Sequence, residues 1–335
     1  MQSARNEGDS IRGQFESIPL VDVSDLGRAA GALDHAARHV GFLYVTGHGV
    51  EPALVAALHE QAALFFALPE QVKRAYYIGL SPNHRGYVPP GEEVFYEQSK
   101  DSKEAFDLSR DLPDDPDFLA GNRLLGPNVW PRELPHFRDV VSRYYDAVFT
   151  FGTRLIAGFA LALGLPADHF APMLQKPPSQ LRLLHYPPGE DAPGIGSHTD
   201  YECFTILHTT APGLEVMNAE GRWVDAPPMP DAFVVNLGDM MEILTAGRWV
   251  STAHRVRNVR EERYSFPLFF SLDYATVVEP LPGFEDRAYP RVIAGEHLLA
   301  QTAQTFRYFE PLIASGRFTM PLAAKGLSSF GRDRA

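Results

Sequence analysis

Two different periods of apolar residues divide the chain. Between Pro135 and Ala162, the residues Phe137, Val140, Val141, Tyr144, Tyr145 and Val148 recur at i, i+3, i+4 and i+7, which predicts a long amphipathic helix. Shorter helices are predicted over 27–39, over 51–67 in "EPALVAALHEQAALFFALP", and over 294–309. From Gln180 to Val278 the pattern changes to short β-rich runs: "QLRLLHYPP", "CFTILHTT", "LEVMNAEGRWVDA", "AFVVNLGD", "WVSTAHRVRN" and "RYSFPLFFSLDY". The "NAEG" within the third is a hairpin signal. Strands at this spacing, with no long helix between them, predict an antiparallel sandwich or barrel rather than a parallel α/β sheet. Residues 79–131 are rich in Gly, Pro, Asn and Asp and predict ordered loops with short strands.

Composition narrows the function. A formal net charge of −12, with no Lys/Arg cluster, disfavours nucleic acid and anionic membranes as partners. The single cysteine, Cys203, excludes an intrachain disulfide and leaves a thiolate metal site without ligands, as suits a reducing compartment. The start, "MQSARNEGDSIRGQFESIP", has no apolar targeting core, and the apolar stretch "VFTFGTRLIAGFALALGL" is interrupted by Arg154. A cytoplasmic protein is expected, with residues 1–14 mobile and nothing demanding more than a monomer.

Candidate chemistry begins in "IGSHTDYECFTILHTT". In an extended strand residues i and i+2 share a face, so His198 and Asp200 project together. His-x-Asp alone is better read as a hydrogen-bonded structural pair. "STAHRVRN" adds His254 from another predicted strand of the same β region. Two imidazoles and one carboxylate that leave other positions open form the ligand set of non-haem Fe(II) enzymes that activate O2. Beyond His254, Arg263 and Ser265 in "RYS" again have strand spacing; a guanidinium grips a carboxylate through two parallel hydrogen bonds, with the hydroxyl as a further donor. Iron with a carboxylate clamp suggests 2-oxoglutarate (2OG).

At these residues the chain resembles the Fe(II)/2OG-dependent oxygenases, in the branch similar to isopenicillin N synthase and the plant flavonoid and hormone oxygenases. "IPLVDVSDL", "HVGFLYVTGHGV", "RGYVPPGEE", "KEAFDLSRDL" and "GPNVWP" resemble the N-terminal region of that family. "LRLLHYPP", "HTD", "GLEV", "VVNLGD", "STAHRV" and "RYSFPLFF" resemble its core, in the family's order. The resemblance implies a mixed α and β fold: a double-stranded β-helix, or jelly-roll, with flanking helices, one of them long and preceding the core. On this reading 15–175 is a helical and loop region packing on the core, 176–280 the catalytic jelly-roll and 281–335 a C-terminal helix and tail, in one structural unit.

The resemblance also implies that His198, Asp200 and His254 bind Fe(II), that Arg263 and Ser265 hold the distal carboxylate of 2OG, and that Tyr186 helps hold a carboxylate of co-substrate or substrate. Where plant members often carry an asparagine two residues before that tyrosine, this chain has Leu184, which removes one hydrogen bond there. The implied reaction couples oxidative decarboxylation of 2OG, with O2, to hydroxylation, desaturation or cyclisation of a small organic molecule. An oxidase like isopenicillin N synthase, in which Arg263 and Ser265 grip the substrate's own carboxylate, is a second reading; a metal- or ligand-binding sensor is a third. Strand alternation adds expected pocket residues: Phe269 and Ser271 on the face of Arg263 and Ser265, and Arg182 on the face of Leu184 and Tyr186, where it could meet an acidic substrate or form an ordinary ion pair. Asn236 in "VVNLGD" is a further candidate.

Overall fold

The computed structural model describes residues 15–94, 103–189, 194–284 and 288–321; the N-terminal residues 1–14 lie outside them. Helices α1 (Leu26–His39), α2 (Pro52–Phe66), α3 (Glu70–Arg74), α4 (Pro116–Leu119) and α5 (Phe137–Ala162) precede the predicted core. Within and after it come α6 (Asp239–Leu244), α7 (Ala294–Thr305) and α8 (Phe309–Ala314). The first helix starts where Asp25 caps it, its carboxylate accepting from the Arg28 N–H at 3.1 Å. It ends at Gly41, whose φ of +71° turns the chain into a strand; a Cβ there would lie 2.3 Å from Thr252 Oγ1.

Eight strands form the major sheet. In spatial order they are β1 (Leu20–Asp22), β2 (Phe42–Thr46), β10 (Phe233–Leu237), β7 (Phe204–Thr209), β12 (Arg263–Phe270), β5 (Gln180–Tyr186), β4 (Glu104–Ser109) and β3 (Gly86–Val88). All neighbours are antiparallel except β1 and β2. The minor sheet runs β6 (Ile195–His198), β11 (His254–Val256), β8 (Leu214–Met217) and β9 (Trp223–Asp225). The "NAEG" turn joins β8 to β9, with Met217 opposite Trp223. Four strands of the major sheet, β1 to β4, come from the region before residue 176.

Two apolar clusters hold these layers. Phe42, Tyr44, Leu207 and Val234 of the major sheet meet Leu214 and Val216 of the minor sheet, which closes one part of the sandwich. On the opposite face of the major sheet α5 buries Val141, Tyr144, Val148, Leu155 and Phe159, the stripe set by its helical period. Gly152 lets the helix lie close, since a Cβ there would come within 2.4 Å of the Phe270 ring, itself stacked on Phe204 at 4.7 Å.

The helix expected over 294–309 is interrupted at Phe306. There the backbone leaves the helix to pair with the "PPGEE" loop: Glu93 bridges to Phe306, Val94 N–H donates to Thr305 O at 2.8 Å, and Arg307 N–H donates to Glu92 O at 3.0 Å. This pairing places the end of α7 against the mouth of the sandwich.

Candidate metal and co-substrate site

The three predicted ligands converge, by a route that differs in one respect from strand spacing. Strands β6 and β11 are antiparallel neighbours with His254 directly opposite His198, and the rings lie 4.3 Å apart between centroids. Strand β6 ends at His198, so Asp200 sits in the connection to β7 rather than in a strand. Side-chain donors fix it instead: Asn236 Nδ2 donates to Asp200 Oδ2 at 2.7 Å, and the Thr205 hydroxyl donates to the same oxygen. Its other oxygen, Oδ1, faces His198 Nε2 at 3.7 Å and His254 Nε2 at 3.6 Å.

Hydrogen bonds set the tautomers. His198 Nδ1 lies 2.8 Å from Gly196 O and His254 Nδ1 lies 3.1 Å from Thr252 O. A carbonyl only accepts, so each Nδ1 carries the proton and each Nε2 lone pair turns inward. Burial, then the neighbouring His254, push the His198 imidazole down to about 4 against the pull of Asp200, so it stays neutral near pH 7. Burial raises the Asp200 carboxyl, but the two imidazoles and its two donors outweigh burial and hold it below its ordinary value. Three buried ligand atoms, two nitrogen and one oxygen, thus lie within 4.8 Å of one another. Lone pairs held this close repel unless a cation lies among them, and a two-imidazole, one-carboxylate set suits Fe(II) with positions left for other ligands.

The cavity beside this cluster encloses about 880 Å³ of atom-free space, part of it open to solvent, and combines apolar walls with a few convergent polar groups, as ligand sites do. Arg263, Ser265, Tyr186 and Leu184 line it, set side by side by the register Arg263↔Tyr186 and Ser265↔Leu184. Arg263 is fully buried with its guanidinium 4.8 Å over the Tyr186 ring, and Nε donates to Ala211 O at 3.2 Å. Among the described residues the buried Nη1 has no hydrogen-bond partner of ordinary geometry and Arg263 forms no ion pair, the Tyr186 side chain being a polar group beside it. Burial lowers its affinity for the proton. A guanidinium desolvated without a counter-charge costs several kcal/mol, about the deficit that an incoming carboxylate cancels.

The remaining predicted pocket residues divide. Phe269 and Asn236 line the cavity, Asn236 through its bond to Asp200. Ser271 does not; its N–H donates to Ser179 Oγ and its hydroxyl to Leu272 O. Arg182 lines the cavity, yet both edges of its guanidinium are already engaged. Nε and Nη2 donate to the two oxygens of Asp107, each at 2.7 Å, and Nη1 donates to Glu93 Oε1 at 2.6 Å. Lys103 pairs with the other oxygen of Glu93. Burial raises the Glu93 carboxyl, but Arg182 and Lys103 more than offset it and hold it at about 2.

Residues without a local sequence signal complete the wall: Glu93, His84, Tyr201, Glu202, Thr205 and Phe306 all face the cavity. Burial, then the charge of Asp200, push the Glu202 carboxyl up to about 8. The one signal that points toward the Arg182 partners is "EAFDLS", a strand buried at every position that nonetheless carries two carboxylates.

Comparison with known proteins agrees with this geometry. The family described as "non-haem dioxygenase in morphine synthesis N-terminal" matches residues 18–133, and the "2OG-Fe(II) oxygenase superfamily" matches residues 177–272. A homoarginine-6-hydroxylase of Arabidopsis thaliana is 32% identical over 87% of this chain and 90% of its own length. A crystal structure of a putative 2OG-Fe(II) oxygenase family protein from Caulobacter crescentus superposes with a TM-score of 0.77 at 34% identity, covering 87% of this chain and 99% of that one. The dioxygenase for auxin oxidation in rice superposes with a TM-score of 0.70 at 27% identity, covering 89% and 99%. A full-length Neurospora crassa protein crystallised in complex with alpha-KG, which is 2OG, superposes with a TM-score of 0.75 at 27% identity, covering 87% and 98%.

Proposed function

The chain belongs to the 2OG-Fe(II) oxygenase superfamily, and we propose that His198, Asp200 and His254 are its iron ligands while Arg263 and Ser265 receive the distal carboxylate of 2OG. As an Fe(II)/2OG-dependent dioxygenase it couples oxidative decarboxylation of 2OG to the oxidation of a small organic molecule. Bound iron, 2OG and O2 supply the oxidising power, with succinate and CO2 as co-products. Hydroxylation is the outcome we assign, because relatives at this level of identity are named hydroxylases. The net charge of −12 disfavours nucleic acid and anionic membranes as partners, and the single cysteine suits the reducing cytoplasm in which we place the protein as a monomer. Among the described residues no helix is long and apolar enough to cross a membrane.

The chain's own contribution is placement. Asn236 and Thr205 hold Asp200 Oδ2, which leaves Oδ1 as the donor turned toward the imidazoles. Gly196 and Thr252 carbonyls fix the tautomer of both histidines, which leaves Nε2 of each as the nitrogen turned toward the metal position. The buried Arg263 anchors one end of the co-substrate, so that its other end meets the metal ligands across the cavity. Phe269, Leu184 and Phe306 give the cavity apolar walls against which the substrate C–H would pack.

The observation that carries this reading is the coexistence, in one cavity, of three converging lone pairs and a guanidinium that has no ion-pair partner among the described residues. Anaerobic protein given Fe(II) and then 2OG should develop the weak visible charge-transfer band of the chelate, and Asp200→Ala should lose it while the circular dichroism spectrum is retained. A band of full intensity in Asp200→Ala would remove the ligand assignment.

A further inference from the structure

With the iron ligands and the co-substrate clamp assigned as above, the rest of the cavity wall carries its own charge pattern. Four buried ionised groups lie along β4, β5 and the "PPGEE" loop: Arg182, Asp107, Glu93 and Lys103. Their charges cancel in closed pairs. Arg182 therefore does not present an open fork to an anion: its two paired edges hold Asp107 and Glu93, and one face of its plane lies 5.4 Å from the Phe306 ring. His84, next to this array, is neutral, with Nδ1 2.8 Å from the Tyr308 hydroxyl.

Glu202 differs from those four. It is 8% exposed and faces the cavity, and among the described residues it forms no ion pair; its carboxyl accepts from the adjacent backbone N–H of Tyr201 at 3.2 Å. Once 2OG takes Arg263, the described cavity wall holds no unpaired cationic side chain to receive an anionic substrate, whereas it still holds the Glu202 carboxyl. Tyr201 lines the wall beside it and offers an aromatic face, a surface that favours a flat or cationic group.

We propose that Glu202 selects the substrate: a small molecule bearing a protonated amine, amidine or guanidine group that donates to Glu202, with free carboxylates excluded from that side of the cavity. The inference rests on the 2OG-oxygenase reading of the site and adds to it the chemical class of the substrate. Of the two expectations for Arg182, the ordinary ion pair is the one that the contacts match, since Asp107 and Glu93 already hold that guanidinium and leave no edge for an acidic substrate. A docked cation supplies the counter-charge that the buried Glu202 carboxyl lacks, whereas its isostere Gln keeps the shape and needs none, so the preference should be lost in Gln.

The test uses the full chain loaded anaerobically with Fe(II) and 2OG. The charge-transfer band is titrated with n-butylguanidinium, n-hexylammonium, 1-hexanol and hexanoate, since a substrate that enters beside the metal perturbs the band. The cations should perturb it at concentrations at least tenfold lower than the alcohol does, and hexanoate should be weakest. E202Q should bring the cations to within about threefold of the alcohol, and E202D should restore part of the preference, which a purely structural role for Glu202 would not predict. Hexanoate binding as tightly as the cations, no response to either cation, or a cation preference intact in E202Q would each overturn the proposal. Absence of the band before any probe is added would instead overturn the 2OG-oxygenase reading beneath it.

Discussion

Two arginines on neighbouring strands of the major sheet face one cavity and have opposite surroundings. Arg182 on β5 is enclosed by Asp107 and Glu93, through three charge-assisted contacts no longer than 2.7 Å. Arg263 on β12 is more deeply buried but has one carbonyl acceptor and an aromatic face. The contrast separates structure from the proposed recruitment: a guanidinium whose charge is already balanced ties the wall together, and one without a counter-charge among the described residues is where the proposed reading seats the carboxylate of 2OG. Residue type and inward orientation are the same in both. The carboxylates nearby decide the role.

Substituting the same apolar residue at each position sharpens the comparison. Arg182→Met leaves Asp107 buried without its partner, and burial already holds that carboxyl above its ordinary value. Breaking one side of a buried pair costs about 3–5 kcal/mol, so thermal unfolding should drop by on the order of 10 °C. Adding Asp107→Asn should recover much of that loss, because the unpaired charge is then removed as well. An unchanged melting temperature in Arg182→Met would mean that the wall does not depend on this pair.

Arg263→Met should behave in the opposite way. The apoprotein melting temperature should hold or rise, since an unbalanced charge leaves the interior, while 2OG affinity should weaken by about 2–5 kcal/mol. Titrating the charge-transfer band at saturating Fe(II) reads that loss directly. Should 2OG bind Arg263→Met as it binds the parent protein, the clamp assignment fails and the contrast between the two arginines has another cause.

The faces of these strands are more legible in the sequence than their partners are. Alternation places Arg182, Leu184 and Tyr186 on one side of β5 and Arg263, Ser265 and Phe269 on one side of β12, and all six line the cavity. Ser271 drops out where β12 ends at Phe270 and the backbone turns toward Ser179. His198 and His254 require only that two β-rich runs pair in register, which their apolar flanks favour. Asp107 and Glu93 lie 75 and 89 positions from Arg182, and a pairing at that distance leaves no local period to read. At Asp200 the sequence argument applies only in part: strand spacing points to it, whereas Thr205 and Asn236 aim it from beyond the strand end.

That division of labour at Asp200 yields the smallest of the effects. The carboxylate receives two donors on Oδ2, so removing one leaves the other, and orientation should loosen without being lost. Partners that orient a metal ligand in this way usually account for about ten- to a hundredfold in metal affinity. Asn236→Ala should therefore weaken Fe(II) binding by that factor in a competition titration with a metal-chelating dye, and Thr205→Val should do the same. At saturating iron the affinity for 2OG should be nearly unchanged, since Arg263 is anchored independently of Asn236. A merely structural Asn236 would lower the melting temperature and leave Fe(II) affinity alone. The pair of measurements thus distinguishes a side chain that positions a ligand from one that only fills the sheet.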